Sequence, residues 1–274
     1  MNRPRSSDET ASGWPVHPRS RLDAVRILVT FHGLTVVGAA RVLGLHPIGR
    51  RRLYYAEQSP KASGCTPLPL LDAGVEIQIS ERDGDEESAV ILRPCRRSRL
   101  TDHWLRFRHL AGDEFHVEAE RTRDQLSLTA TLTSTRPRGT LTDALAGSGS
   151  HNGVLSATQQ AFLTDCADIA VEPATLRLLG PIHLRRWPAT RWHDMNLGVE
   201  CRTVVGRDDR ALEILTLSLR VDPAGAEVRK TALDVLLHRH NLYPDDTEPM
   251  TTREVLTRLA PPPRDAPDLR QPDP

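Results

Sequence analysis

The sequence predicts a mainly β (α+β) fold, an antiparallel sheet with flanking helices. Alternating runs at His183–Trp187, Leu197–Val205 and Ala211–Val221, joined around the turn signal Gly206-Arg207-Asp208-Asp209, form a three-strand meander. The two faces of these runs differ. Leu212, Ile214, Thr216, Ser218 and Arg220 share one side of the last run, against Ala211, Glu213, Leu215, Leu217 and Leu219. In the middle run Gly198, Glu200, Arg202 and Val204 oppose Leu197, Val199, Cys201, Thr203 and Val205. One face is oily and the other carries isolated charges. Period alone leaves open whether the charged face is solvated or lines a polar interior around which the sheet closes.

Composition bounds the function. The 274 residues suffice for one large β domain, and 36 basic side chains balance 36 acidic ones, so no global field argues for nucleic acid or a membrane. All the basic residues except Lys61 and Lys230 are arginine, whose planar guanidinium grips phosphate bidentately where lysine acts as a point charge. Cys65, Cys95, Cys166 and Cys201 are scattered without a CxxC pair, and no apolar run approaches the roughly 18 residues of a membrane span, so a soluble, cytoplasmic protein is expected.

In chain order, residues 1–20 read as a disordered arm, followed by a strand over Leu22–Phe31 with Arg26, Leu28 and Thr30 on one face. Leu34–Leu45 reads as a short helix. The stretch 34–53, with a glycine turn and Arg50-Arg51-Arg52, also fits a helix-turn-helix, although Arg51–Ala56 with Tyr54-Tyr55 reads equally as a strand. Gln58–Pro69 is expected as a loop, Leu70–Ser80 as a strand, and Ser88–Arg93 as the next, ended by Pro94 and the basic cluster Arg96-Arg97-Ser98-Arg99. Asp113–Glu120 and Gln125–Thr133 form a hairpin in which His116, Glu118 and Glu120 share a face. Carboxylates at i and i+2 on a strand suit a hard cation such as Mg²⁺ or Mn²⁺ bridging to phosphate. Arg136–Gly153 is expected as a loop, and Ser156–Ala167 as a helix N-capped by Ser156. A helix over Ala224–Asn241 should bury Val228, Ala232, Val235 and Leu236, and a short helix over Thr251–Leu259 precedes a disordered tail, 260–274.

Several strings, in this order, resemble the CYTH family of triphosphate tunnel metalloenzymes, and more narrowly an actinobacterial branch of it. They are Tyr54-Tyr55-Ala56-Glu57, Ala73-Gly74-Val75, Ala89 to Pro94, Val117-Glu118-Ala119-Glu120, Leu155 to Leu163, Leu179-Gly180-Pro181-Ile182, Leu217-Ser218 with Arg220, and Thr251-Thr252-Arg253. The resemblance implies one domain over 21–259, a closed antiparallel tunnel-like β-barrel that binds a triphosphate or polyphosphate. It implies phosphate grips at Arg93, Arg186, Arg220 and Arg253, and Mg²⁺ or Mn²⁺ ligands at Glu118, Glu120 and Glu200. The departures are as informative. Arg26, Leu28 and Thr30 stand where the family has two carboxylates and a lysine, Gln78 and Ser80 replace arginines, Ile91 and Thr251 replace lysines, and Thr216 replaces a glutamate. Each lost charge removes about 2 to 4 kcal/mol of transition-state stabilisation. The expectation is therefore a phosphorylated-ligand binder with degraded or lost phosphohydrolase or cyclase activity. The alternatives are an active Mg²⁺/Mn²⁺-dependent triphosphatase or class IV-type adenylate cyclase, and a helix-turn-helix DNA-binding regulator.

Overall fold

A computed structural model describes residues 21–59, 66–82, 85–122, 125–146, 153–206, 210–244 and 252–260. The expected arm 1–20, the tail from residue 261 onward, Cys65 and Thr251 lie outside the described residues.

Ten strands form one sheet: β1 (Ala24–His32), β2 (Arg51–Gln58), β3 (Val75–Arg82), β4 (Asp85–Leu92), β5 (His109–Leu110), β6 (Asp113–Arg121), β7 (Leu126–Arg136), β8 (Leu176–Trp192), β9 (Met195–Val205) and β10 (Ala211–Val221). Their order is β1-β10-β9-β8-β2-β3-β4-β7-β6-β5, and a parallel β1–β6 pairing closes nine of them into a barrel, leaving β5 as an appendage on β6. The other neighbours pair antiparallel. The closing register sets Ala24 beside Glu118 and Arg26 beside Glu120, and closure removes the exposed edges an open sheet would carry.

The oily faces turn outward, under helices. One cluster joins Ile77, Val90, Val117 and Leu132 to Trp104 of α3 (Asp102–Arg106), Leu141 of α4 (Thr140–Leu145) and Phe162 of α5 (Ala157–Cys166). A second joins Ile27, Val199, Leu217 and Leu219 to Val36 and Ala39 of α1 (Leu34–Val42) and Leu233 and Leu237 of α6 (Ala226–Arg239). The third lies on the other side of the strands. Inward residues Leu53, Leu184, Val204 and Ile214 pack with Val255 and Leu256 of α7 (Thr252–Leu259), so α7 stoppers the barrel on that side. Ala260, expected to begin the tail, is 8% exposed and belongs to this plug.

The helix after Ser156 forms as expected. The Ser156 hydroxyl accepts from the Gln159 amide, and the Gln159 side chain accepts from the Ser156 amide in return. Gln159, fully buried, also donates to the Ser88 and Leu132 carbonyls, stitching α5 to β4 and β7.

Four expectations need correcting. Leu70 to Asp72 are not strand but the short helix α2 (Pro69–Asp72), because the buried Glu57 carboxylate accepts from the amides of Leu70 (2.7 Å) and Leu71 (3.2 Å). The loop expected over Arg136–Gly153 contains α4, whose first amides are taken by Glu86. Both caps come from residues distant in sequence, so no local signal announces them. The helix-turn-helix over 34–53 is overturned: after α1 the chain runs irregularly to β2, which lies between β8 and β3 with Tyr54 and Tyr55 buried. Finally, α6 buries Ala226, Leu233 and Leu237; of the expected stripe Ala232 and Leu236 are half-buried against the same cluster, while Val228 is 74% and Val235 45% exposed. The helix is turned so that Leu233 and Leu237 face the wall and only one edge of the expected stripe packs beside them.

Candidate functional site

The alternating faces now have an address. Register places Arg26, Glu118, Glu120, Glu200, Arg202, Thr216, Ser218 and Arg220 on the inner wall, with Ser127, Thr129 and Thr131 facing the same hollow. The Thr129 hydroxyl, opposite Glu118, is buried without a hydrogen-bond partner.

Arg93, Arg220, Glu118 and Glu120 converge. Glu118, 5% exposed, takes Arg26 at 2.5 Å and Arg220 at 2.8 Å. Glu120, 4% exposed, takes Arg93 at 2.9 Å and Arg26 at 3.7 Å, and Arg93 reaches Glu76 at 3.8 Å. Arg26 and Arg220 are direct partners across β1 and β10, so two like charges sit side by side and are held there by the carboxylate between them. Arg93 lies just past β4, where Gly74 (φ +74°) brings the chain against it. The Arg93 amide donates to the Gly74 carbonyl at 2.8 Å, and a Cβ at Gly74 would stand 2.8 Å from the Arg93 carbonyl oxygen.

A second knot lies toward α7. Glu200 accepts from Arg202 at 2.6 Å, and Arg186 stands 3.9 Å away. Arg202 also donates to the fully buried Tyr55 hydroxyl at 3.1 Å, and Gln78 contacts both Tyr55 and Glu76 at 3.4 Å. The Thr252 hydroxyl at the start of α7 donates to Glu76 at 3.1 Å, tying the stopper to the network. Arg253 stands apart, largely exposed and paired to Asp72 at 2.5 Å on α2.

Burial and pairing set the charge states. Burial pushes the Glu120 carboxyl above its ordinary range; Arg93 and Arg26 pull the other way without overcoming it, and the nearby Glu76 and Glu118 push further up. Burial acts on Glu200 too, but Arg202 and Arg186 overcome it and hold that carboxyl below the ordinary range. Burial opposes charge on Arg93 and Arg202 as well, yet their carboxylate neighbours raise both. Burial raises the Tyr55 phenol, which stays a neutral donor and acceptor.

Sequence reasoning missed the parts played by Arg26, Glu76, Arg202, Tyr55, Gln78 and Thr252. Arg26 and Arg202 did carry a signal, since each lies at an alternating position on the charged face. As to a divalent cation, Glu118 and Glu120 are close together but each already bears guanidinium groups. Among the described residues no group of three or more His, Cys, Asp or Glu side chains is placed to hold a metal. These residues alone do not make up the six oxygen ligands such an ion takes.

Fold and site together define a β-tunnel protein whose interior is a lattice of arginines and carboxylates, stoppered on one side by a helix. HpAC1 from Hippeastrum, described as a candidate adenylyl cyclase with a dominant triphosphatase activity, has the same fold: TM-score 0.54 over 88% of this chain and 99% of that one, at 8% identity. No family model matches the sequence, and neither does any curated protein. Among the described residues no helix is long and apolar enough to cross a membrane.

Proposed function

We propose that the protein binds a triphosphate or other phosphorylated small molecule inside the barrel, as a divergent member of the CYTH type, with metal-dependent phosphohydrolase or cyclase activity degraded or lost. The observation that carries this reading is the set of three guanidinium groups, Arg26, Arg93 and Arg220, gathered on Glu118 and Glu120 inside a closed barrel. Guanidinium forks in a partly desolvated hollow suit phosphate oxygens, and Arg186 extends the basic wall. The departures at Arg26, Leu28, Thr30 and Thr216 argue against fast turnover. A divalent cation, if it takes part, arrives with the phosphate and draws on Glu118 and Glu120.

The test is calorimetric titration with tripolyphosphate, with and without Mg²⁺ or Mn²⁺, alongside phosphate release from tripolyphosphate, thiamine triphosphate and nucleoside triphosphates. Binding that depends on Arg93 and Arg220, with turnover no faster than in Glu118→Ala/Glu120→Ala, is expected. Absence of binding sinks the reading. Robust metal-dependent turnover that the double variant abolishes favours instead an active triphosphatase, the reading suggested by the described activity of HpAC1.

A further inference from the structure

The inner face that carries Glu118 and Glu120 continues to His116, beyond the tunnel cluster. Strand β10 runs from Ile214, packed with α7, to Arg220, so Arg220 marks the end of the barrel away from the stopper. At that end a cavity of about 370 Å³ is walled by Arg21, Arg108, His109, His116 and Arg220, within the size range of small-ligand sites.

The charges around it are not all spent. Asp23, one acid in the wall, is locked by the Arg21 guanidinium at 2.8 Å and by the Val117 amide at 2.9 Å, so those two opposite charges cancel. Glu114, the other, is 63% exposed and touches His116 Nε2 at 3.0 Å, free to turn toward water. Arg108 donates to the carbonyls of Leu105 (2.9 Å) and Phe107 (3.0 Å), and the acid whose charge it feels, Asp23, is already held by Arg21. Arg220 commits its Nε to Glu118 but is 55% exposed, leaving further donors at the cavity wall. What remains is a wall of three guanidinium groups and two imidazoles against two carboxylates, one locked by Arg21 and the other turned largely to water.

We propose that this cavity is an oxyanion site distinct from the tunnel cluster, taking a phosphate-sized anion on Arg108, His109, His116 and Arg220. Planar guanidinium donors with imidazole N–H groups beside them suit the oxygens of a tetrahedral oxyanion, and the excess of guanidinium over carboxylate in the wall provides the attraction. Because Arg220 also holds Glu118, an anion here competes for the arm that closes the tunnel cluster, which couples the two sites. The proposal stands whether or not the tunnel binds triphosphate.

The probe is inorganic phosphate alone, added to the full chain and followed through the imidazole resonances of His109 and His116, assigned by their loss in His109→Ala and His116→Ala. Both resonances are expected to shift saturably. Arg108→Gln is expected to weaken the site about tenfold or more, through loss of a charge-assisted contact. Should Arg108→Gln disturb the backbone it supports, His109→Ala, read at His116, is expected to weaken phosphate by about threefold or more. The proposal is overturned if neither resonance saturates, or if neither Arg108→Gln nor His109→Ala changes the affinity, which would place the phosphate elsewhere.

Discussion

Replacing Glu118 by glutamine separates two roles for the tunnel carboxylates. In this structure Glu118 restrains Arg26 and Arg220, at 2.5 and 2.8 Å, so each guanidinium must leave a buried anion before it grips a phosphate. Two unit charges 4 Å apart interact by about 4 kcal/mol at an effective dielectric of 20. Both arginines are partly exposed, at 40% and 55%, so water and salt reduce that restraint to about 1 to 2 kcal/mol. Glu118→Gln removes the charge at nearly constant shape and is expected to tighten metal-free tripolyphosphate binding roughly five- to thirtyfold. It should also cost about 1 to 2 kcal/mol of stability, since Arg26 and Arg220 are left facing each other across β1 and β10. Calorimetric titration with a metal chelator present, beside urea unfolding of the free protein, reads both quantities. If Glu118→Gln leaves metal-free binding unchanged or weaker, Glu118 does not restrain the arginines and the account of the cluster is refuted.

Arg93→Ala strands Glu76 and Glu120, both nearly fully buried, and is expected to cost about 3 to 5 kcal/mol in urea unfolding while abolishing tripolyphosphate binding. A series of melts against pH separates Glu200 from Glu120. The lowered carboxyl of Glu200 contributes stability above the ordinary glutamate range, about 4.3, and loses it on acidification, so the advantage of wild type over Glu200→Gln shrinks as pH falls below that value. The raised carboxyl of Glu120 has the opposite sign, and the advantage over Glu120→Gln, full below that value, shrinks as pH rises above it through the raised carboxyl of the folded state. Gly74→Ala strains a left-handed position and meets the Arg93 carbonyl, so it should lower the melting temperature and weaken phosphate binding together; a stability loss with full affinity would show that Gly74 does not position Arg93. Ser156→Ala removes one half of the reciprocal cap on α5 and is expected to cost about 1 kcal/mol with affinity intact.

Much of the barrel was legible because strand alternation is a local property. The faces of β1, β9 and β10, and the sharing of one face by His116, Glu118 and Glu120, follow from period two alone, and the structure keeps them. The helix after Ser156 was equally legible, since its capping box lies within four residues. Features that depend on a distant partner were not. α2 and α4 exist where Glu57 and Glu86 supply acceptors from another part of the sheet, and the buried stripe of α6 was settled by the wall it meets.

The sequence by itself determined which side chains share a face, because pleat geometry acts between neighbours in the chain. It determined the supply of arginine too, and the absence of carboxylates from the charged face of β1. Only the tertiary structure decided that the charged face turns inward, because closure through the parallel β1–β6 pair leaves the outer faces to be covered by helices and the polar residues to satisfy one another within. Only it brought Arg26 to Glu118 across 92 residues of chain and Thr252 to Glu76 across 176, distances over which no sequence period carries information.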